Sequence, residues 1–365
     1  MGQRAESFDV VVVGAGPAGA VTAKRCAEAG LKTVILERKP LPREKVCSGL
    51  LFGREARELV RQEFGALPTE AILAHLAGAV LVVPGVGRET ILSETPITWR
   101  RDLDSWMVGS ARERGAEVRA SARVVDVVID GDRCRTVLAE GRARRELVSR
   151  FVVGADGPAS IVRRRLFPEL RVTYTTSTRE CFEGWLHLDK EYSYVVFPRE
   201  RYRPNFWINP KGPLFTVEGA LRELKAEVGS FLAEAGFDGR RRLWSDGCVS
   251  RPVPLFEHLR TGRAAAAKGN AVLVGDAAAL KIPLSGEGIG AALRSGILAA
   301  RSIVESIRTG RRLEPVYTEK LTPMLKALGS SYELVERLER EKGLGFLKAV
   351  TRAFEASMRF SESSY

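Results

Sequence analysis

Histidine is scarce in this chain: three among 365 residues, His75, His187 and His258, far apart and with no HExxH spacing. Nothing in that placement points to a metal centre or a Ser-His-Asp triad. The five cysteines, Cys26, Cys47, Cys134, Cys181 and Cys248, are odd in number and scattered, with no CxxC pair. That argues against a disulfide framework and a zinc site, and for reduced thiols in the cytoplasm. No run of 18 uncharged apolar residues occurs, so a membrane-spanning helix is not expected. A secretion signal is not expected either, because the first residues enter a strand-like run with no basic segment and cleavage site. There is no internal repeat and no low-complexity linker.

What is present is an ordinary globular balance, 45% hydrophobic and 28% charged. The length fits about two domains, and a chain of this size buries roughly three quarters of its unfolded surface without help from metals or disulfides. The net charge is +12. An anionic ligand or a membrane surface suits such a balance. Nucleic acid does not, since the arginines between Trp99 and Arg171 are interleaved with acids rather than gathered in a stripe.

Residues 8–37 read as strand, glycine turn, helix, strand. Val10 to Val13 suits a strand buried on both faces of a parallel sheet, the helix runs from Ala18 to Ala29 and stops at Gly30, and Thr33 to Leu36 is the second strand. Further strands are expected over 80–83, 91–98, 118–129, 134–139 and 151–154, with a helix over 103–114. From Arg171 to Pro254 aromatic and β-forming residues dominate, with a helical patch near 221–235, which suits a second, sheet-rich unit. Ala271 to Val274 is again a buried strand, followed by a loop and a helix from Gly288 to Ile307. Leu321, Leu325, Leu328, Tyr332, Val335 and Leu338, then Leu347, Val350, Phe354 and Met358, recur at helical spacing. Those two helices either dock on the body or meet a membrane surface or a second copy.

Gly14-Ala15-Gly16-Pro17-Ala18-Gly19 fits GxGxxG, after a strand and at the opening of a helix. Gly14 permits the tight turn, Gly16 lets the backbone approach a pyrophosphate, and Gly19 allows close helix–strand packing. The helix start, with Pro17 and Ala18, offers amides and a positive dipole end to phosphates. Glu37, with Arg38 beside it, follows Gly19 by 18 residues, near the offset of an acid that bonds ribose hydroxyls. An acid there repels a 2′-phosphate, which leaves FAD or NAD. Two more segments favour FAD. Residues 151–165 deliver Asp156-Gly157 from a strand into a turn, and residues 271–293 deliver Gly275-Asp276, then Pro283, Gly286, Gly288 and Ile289, into a helix start. An aspartate at a strand end suits a ribityl hydroxyl, and a glycine-rich helix start suits negative charge on a reduced flavin.

Together these motifs resemble the flavoprotein group that holds para-hydroxybenzoate hydroxylase and the geranylgeranyl reductases, over residues 8–60, 97–165 and 270–305. The resemblance implies an α/β fold: a Rossmann-like FAD-binding domain of the para-hydroxybenzoate hydroxylase type, an inserted sheet-rich substrate domain, and a helical C-terminus. The expected bounds are 1–78, 97–168 and 265–312 for the first, 79–96 and 169–264 for the second, and 313–365 for the helices. It further implies that Arg100, in Trp99-Arg100-Arg101-Asp102-Leu103-Asp104, lies near the flavin.

Three chemistries compete within the group. Halogenases carry Trp-x-Trp, which the five tryptophans here never form. Aromatic hydroxylases show Gly-Asp-Ala-Ala-His and Gly-x-Gly-x-Asn, whereas this chain has Gly-Asp-Ala-Ala-Ala at 275–279 and Gly286-Glu287-Gly288-Ile289-Gly290, with no Asn. Pro283 to Ile289 is similar instead to the Pro-x-x-Gly-Glu-Gly-Ile of the geranylgeranyl reductases, as Lys45 to Leu51 is to their cysteine-glycine loop. The resemblance therefore implies a reductase that passes hydride from reduced flavin to a C=C bond of a prenyl or conjugated substrate. The alternatives are a monooxygenase acting on an aromatic or polyketide-like substrate and a flavin electron carrier. The electron donor is expected to be NAD(P)H or a reduced protein carrier, and the place of work the cytoplasm, peripheral to the inner face of the membrane. Cys47 is the candidate for cavity lining and proton relay; a buried small hydrophobe is the plain alternative. Phe197 and Pro198 match the Phe-Pro of the reductases' substrate motif, although its Tyr and Trp are missing.

Overall fold

The computed structural model describes residues 6–141, 143–198, 205–239, 242–338 and 340–358. In chain order it contains β1 (Glu6–Val13), α1 (Pro17–Glu28), β2 (Thr33–Leu36), α2 (Arg54–Phe64), β3 (Ile72–Val83) and β4 (Gly87–Thr98). Next come α3 (Arg100–Glu113), β5 (Glu117–Arg119), β6 (Arg123–Asp130), β7 (Arg133–Glu140), β8 (Ala143–Gly154) and α4 (Ile161–Leu166). The middle of the chain forms β9 (Thr173–Glu183), β10 (Tyr192–Val196), β11 (Phe206–Lys211), β12 (Leu214–Gly219), α5 (Lys225–Glu234), β13 (Arg242–Val253) and α6 (Leu255–Arg260). Last are β14 (Ala267–Lys268), β15 (Ala271–Leu273), α7 (Ile289–Thr309), α8 (Leu313–Leu338) and α9 (Gly343–Met358).

The strands form two sheets. The first has the order β14-β15-β8-β1-β2-β5, with the β6–β7 hairpin attached to β8. Its central strands are parallel, and Val10 to Val13 are buried on both faces, as a strand inside a helix-covered parallel sheet must be. The register decides the site. Val13 pairs with Gly154, and Gly154 with Leu273, so three distant segments leave the sheet side by side at Gly14, Ala155 and Val274. Hydrogen bonds tie these exits together, Ala155 N to Val13 O at 2.8 Å and Val274 N to Gly154 O at 3.0 Å.

The second sheet has the order β13-β9-β12-β11-β10-β3-β4. One face buries Phe182, Phe206, Ile208, Phe215 and Val217 in a cluster with Val228 and Leu232 of α5. Helix α9 packs on β3 and β4. The C-terminal helices dock on the body: Leu321, Leu328, Val335 and Leu338 of α8 and Leu347, Val350 and Phe354 of α9 are all buried.

The sequence reading needs local corrections. The single strand expected over 118–129 is two, β5 and β6, broken where Ser121 takes φ 55° and the chain turns out of the parallel sheet into the hairpin. Helix α3 begins at Arg100 rather than Leu103, because Trp99 is already an extended N-cap. The helical patch after Leu221 shortens to α5, and the turn after Asp156-Gly157 leads into the short helix α4 from Ile161, capped by Ser160 Oγ, which accepts from Arg163 N.

Candidate cofactor and substrate site

A cavity of about 540 Å³ opens beyond the carboxyl ends of the first sheet and is closed on its far side by the second. This is the crevice where open α/β sheets bind their ligands. Gly16, Pro17, Ala18, Cys47, Arg100, Gly157, Gly275, Asp276, Pro283, Gly286, Gly288 and Ile289 all line it, so the three motifs meet on one space.

The glycines divide by function. A Cβ on Gly14, whose φ is +107°, would sit 2.3 Å from Ala155 O, and one on Gly19 would sit 2.0 Å from Gly14 O. These two let the backbone close up. A Cβ on Gly16 would meet only the Arg43 guanidinium end, at 3.7 Å, so this glycine leaves open space above the start of α1. No side chain caps that helix end. A bare helix N-terminus facing a cavity is a phosphate cradle.

Glu37 lies behind the glycine turn, buried. Its Oε2 accepts from Ala15 N at 3.1 Å and Arg43 Nε at 3.0 Å, and its Oε1 accepts from Lys39 N at 3.0 Å. Arg43 continues to Asp104 at 3.2 Å, and Asp104 takes two hydrogen bonds from Arg100. A buried ionic chain thus runs from the end of β2 to the cavity-lining Arg100. Arg38 is exposed and does not line the cavity. Asp156 turns away from it. Its carboxylate accepts from Ser160 Oγ at 2.5 Å and Ile161 N at 2.6 Å, closing the start of α4, so its neighbours Ala155 and Gly157 reach the cavity and Asp156 does not. Phe197 is fully buried beneath α9, its ring 5.6 Å from Phe346 and 6.1 Å from Phe354. Neither Phe197 nor Pro198 lines the cavity; Trp207 and Phe52, which pack on the other side of Phe354, do.

Asp276 pairs with Lys45 at 3.3 Å. Burial opposes its charge, but Lys45, Lys281 and Arg100 together hold the carboxylate below its usual range. Glu287, at the mouth of α7, accepts from Gly290 N at 2.7 Å; burial pushes its carboxyl up to about 7. The Cys47 loop is clamped by two buried cations of the second sheet. Arg179 donates to Cys47 O at 3.1 Å, and Lys211 donates to Thr98 O at 2.7 Å and to Ser48 O. Burial pulls Lys211 down to about 7, with Glu218 working against that shift.

No sequence motif singles out Arg43, Arg179, Asn209, Lys211, Glu218 or Lys281, and Lys45 and Glu287 enter the sequence reading only as members of the two matched loops. The loop residues carry no motif beyond their neighbours, and the strand residues look like solvent-facing members of alternating strands. Among the described residues no group of three or more His, Cys, Asp or Glu is placed to hold a metal ion, and no helix is long and apolar enough to cross a membrane.

Two models of FAD-binding domains match the chain, one over residues 9–52 and one over 70–189. The chain is 30% identical over 369 residues to digeranylgeranylglycerophospholipid reductase 1 of Methanopyrus kandleri, covering 94% of each protein. It is 31% identical over 319 residues to the menaquinone reductase of Mycolicibacterium smegmatis, covering 80% of this chain and 75% of the relative. Its fold matches a geranylgeranyl bacteriochlorophyll reductase-like protein of Thermoplasma acidophilum with a TM-score of 0.77 at 21% identity, over 99% and 97% of the two chains. Fold, cavity and matches define an FAD-dependent oxidoreductase with a Rossmann-like cofactor domain and a helical C-terminus. Within that class, the chain belongs to the geranylgeranyl reductase family.

Proposed function

We propose that the chain reduces C=C bonds in a hydrophobic prenyl or conjugated substrate that enters the cavity between the two sheets. The observation that carries this reading is the cavity wall away from the glycine turn. Leu50, Phe52, Trp207 and Leu284 give it an apolar, aromatic surface on which a chain or conjugated ring can lie. The resemblance to reductases named for prenyl lipids and a prenyl quinone supports the same choice.

FAD, when bound, supplies the two-electron chemistry. The start of α1, opened by Gly16, holds the pyrophosphate, with Gly14 and Gly19 shaping the turn. Glu37 takes the ribose. Arg100, Gly275, Asp276, Gly286, Gly288 and Ile289 surround the flavin end, and Asp276 offers a charged acceptor kept ionised by Lys45 and Lys281. Cys47 lines the cavity on the loop clamped by Arg179 and Lys211, where its thiol is a candidate proton relay. Electrons arrive from NAD(P)H or a reduced protein carrier.

The test is anaerobic. FAD-loaded protein reduced with dithionite is mixed with a polyprenyl quinone or a geranylgeranyl lipid in detergent. Reoxidation of the flavin with a two-hydrogen mass gain in the prenyl chain is expected. Unchanged flavin with every alkene offered, together with oxygen uptake on adding NAD(P)H and an aromatic substrate, would replace this reading with a monooxygenase.

A further inference from the structure

The cavity wall supplied by the second sheet carries polar groups that packing does not require. Along β11, Phe206 and Ile208 alternate with Trp207, Asn209 and Lys211; along β12, Phe215 and Val217 alternate with Thr216 and Glu218. An antiparallel sheet usually turns such a polar set to water. Here Asn209, Lys211 and Thr216 are all fully buried. Glu218 is the polar member of this set that reaches the cavity. It pairs across the strands with Trp207, so carboxyl and indole share the wall against which the substrate lies.

The surroundings of Glu218 favour one form of it. Its Oε1 accepts a single hydrogen bond, from Asn209 Nδ2 at 3.2 Å, and Ser193 Oγ donates to Asn209 Oδ1 at 2.8 Å, which fixes the amide's orientation. The nearby cations are committed elsewhere. Lys211 serves the Ser48 and Thr98 carbonyls and lies 4.5 Å over the Trp99 ring, while Arg179 is bound to Asp246 at 2.8 Å. Desolvation with one neutral donor favours the protonated form of a carboxyl over its charged form. Burial pushes Glu218 up; Lys211, Arg179 and Lys281 pull the other way, and Asp246 adds to the rise.

We propose that Glu218 is the acid that delivers the proton completing reduction of the substrate. The inference rests on the reductive reading above, in which the reduced flavin supplies the other hydrogen with its electron pair. In the proton step the Glu218 O–H bond breaks and its electron pair stays on the carboxylate. The new C–H bond forms with the electron pair left on the substrate carbon. The Asn209 amide, with the Arg179 guanidinium nearby, stabilises the carboxylate until water returns a proton.

The test has two parts. In the purified protein without substrate, infrared spectra at neutral pH should show a protonated carboxyl band that Glu218→Gln lacks. No wild-type-minus-variant band would overturn the proposal, even if the variant is otherwise unusable for kinetics. In stopped flow, wild type, Glu218→Gln, Glu218→Asp and Cys47→Ser are loaded with FAD, reduced with dithionite and mixed anaerobically with a geranylgeranyl lipid in detergent, which offers no acceptor but its C=C bonds. FAD binding equal to wild type is expected of the two Glu218 variants, with reoxidation slowed about 100-fold or more in Glu218→Gln and partly recovered in Glu218→Asp. The wild-type rate should fall as pH rises through the Glu218 pKa, and that limb should vanish in Glu218→Gln. Reoxidation of Glu218→Gln within about twofold of wild type, or the loss of that limb in Cys47→Ser instead, would overturn the assignment while leaving the reductase intact. Wild type that is never reoxidised would overturn the function and this step together.

Discussion

Arg100 grips Asp104 one turn further along α3 with two hydrogen bonds, Nε to Oδ1 at 2.8 Å and Nη2 to Oδ2 at 3.0 Å. Both side chains are almost wholly buried, and Arg43 leans on the same carboxylate. Asp104 therefore balances two largely buried guanidinium groups. Asp104→Ala should cost about 3–5 kcal/mol, because it strands buried charge rather than merely losing an ion pair. The check is a fall in the urea midpoint far larger than that of Asp102→Ala, whose partly exposed side chain lies in the first turn of the same helix and pairs with the exposed Arg101.

Gly14 and Gly16 stand two residues apart and should fail differently. Gly14→Ala forces a side chain into the backbone of Ala155 at a φ that disfavours it, so the fold itself should suffer. Gly16→Val meets only the movable end of Arg43 and has an ordinary extended backbone, so the melting temperature of the apoprotein should barely change. Its branched side chain would occupy the space proposed for the pyrophosphate. FAD affinity, read by quenching of flavin fluorescence, should drop at least tenfold, about 1.4 kcal/mol. Equal affinity in wild type and Gly16→Val would move the cofactor elsewhere.

The cysteines predict a labelling pattern. Cys26, Cys134 and Cys181 are buried, and burial pushes the first two up to about 12. Cys47 and Cys248 are half-buried and line the cavity. Native protein treated briefly with iodoacetamide should carry label on Cys47 and Cys248 alone, as read by peptide mass spectrometry. Added FAD should slow both. Label on Cys26 ahead of Cys47 would contradict the packing of α1.

The cofactor side was legible because its constraints are local. Gly14 needs a left-handed φ and Gly19 a missing Cβ, and both demands are written as glycine at fixed spacing. The alignment of Gly14, Ala155 and Val274 also followed from three strand-then-turn signals, once one parallel sheet was assumed. The substrate side was not legible. Asn209, Lys211 and Glu218 look in sequence like the wet face of an antiparallel sheet, and only the tertiary placement of that sheet against the cofactor domain buries them. Phe197 misled for the converse reason: an aromatic beside proline fits a pocket wall as well as a core, and α9, distant in sequence, claimed it for the core. Asp156 was read for its position at a strand end, but a short helix starting four or five residues later uses the same carboxylate as its cap.

Glu287 gives the apoprotein a stability that depends on pH in an unusual direction. Its carboxyl is raised from 4.5 to about 7, chiefly by burial, with Glu55 adding to the shift and the Gly290 amide opposing it. Between those values the folded state holds a proton that the unfolded chain has released. Stability from this group is therefore full below about pH 4.5, falls as pH rises toward 7, and levels off above it. Because the side chain also faces the cavity, the effect should be screened to about 1–2 kcal/mol. Glu287→Gln cannot release a proton and should lack that component. Urea midpoints of wild type and variant, taken at half-unit steps from pH 5 to 8, should diverge steadily to pH 7 and then run parallel, with wild type the weaker at the alkaline end. A constant difference across the range would mean that Glu287 is ionised throughout and that the mouth of α7 is wetter than its packing indicates.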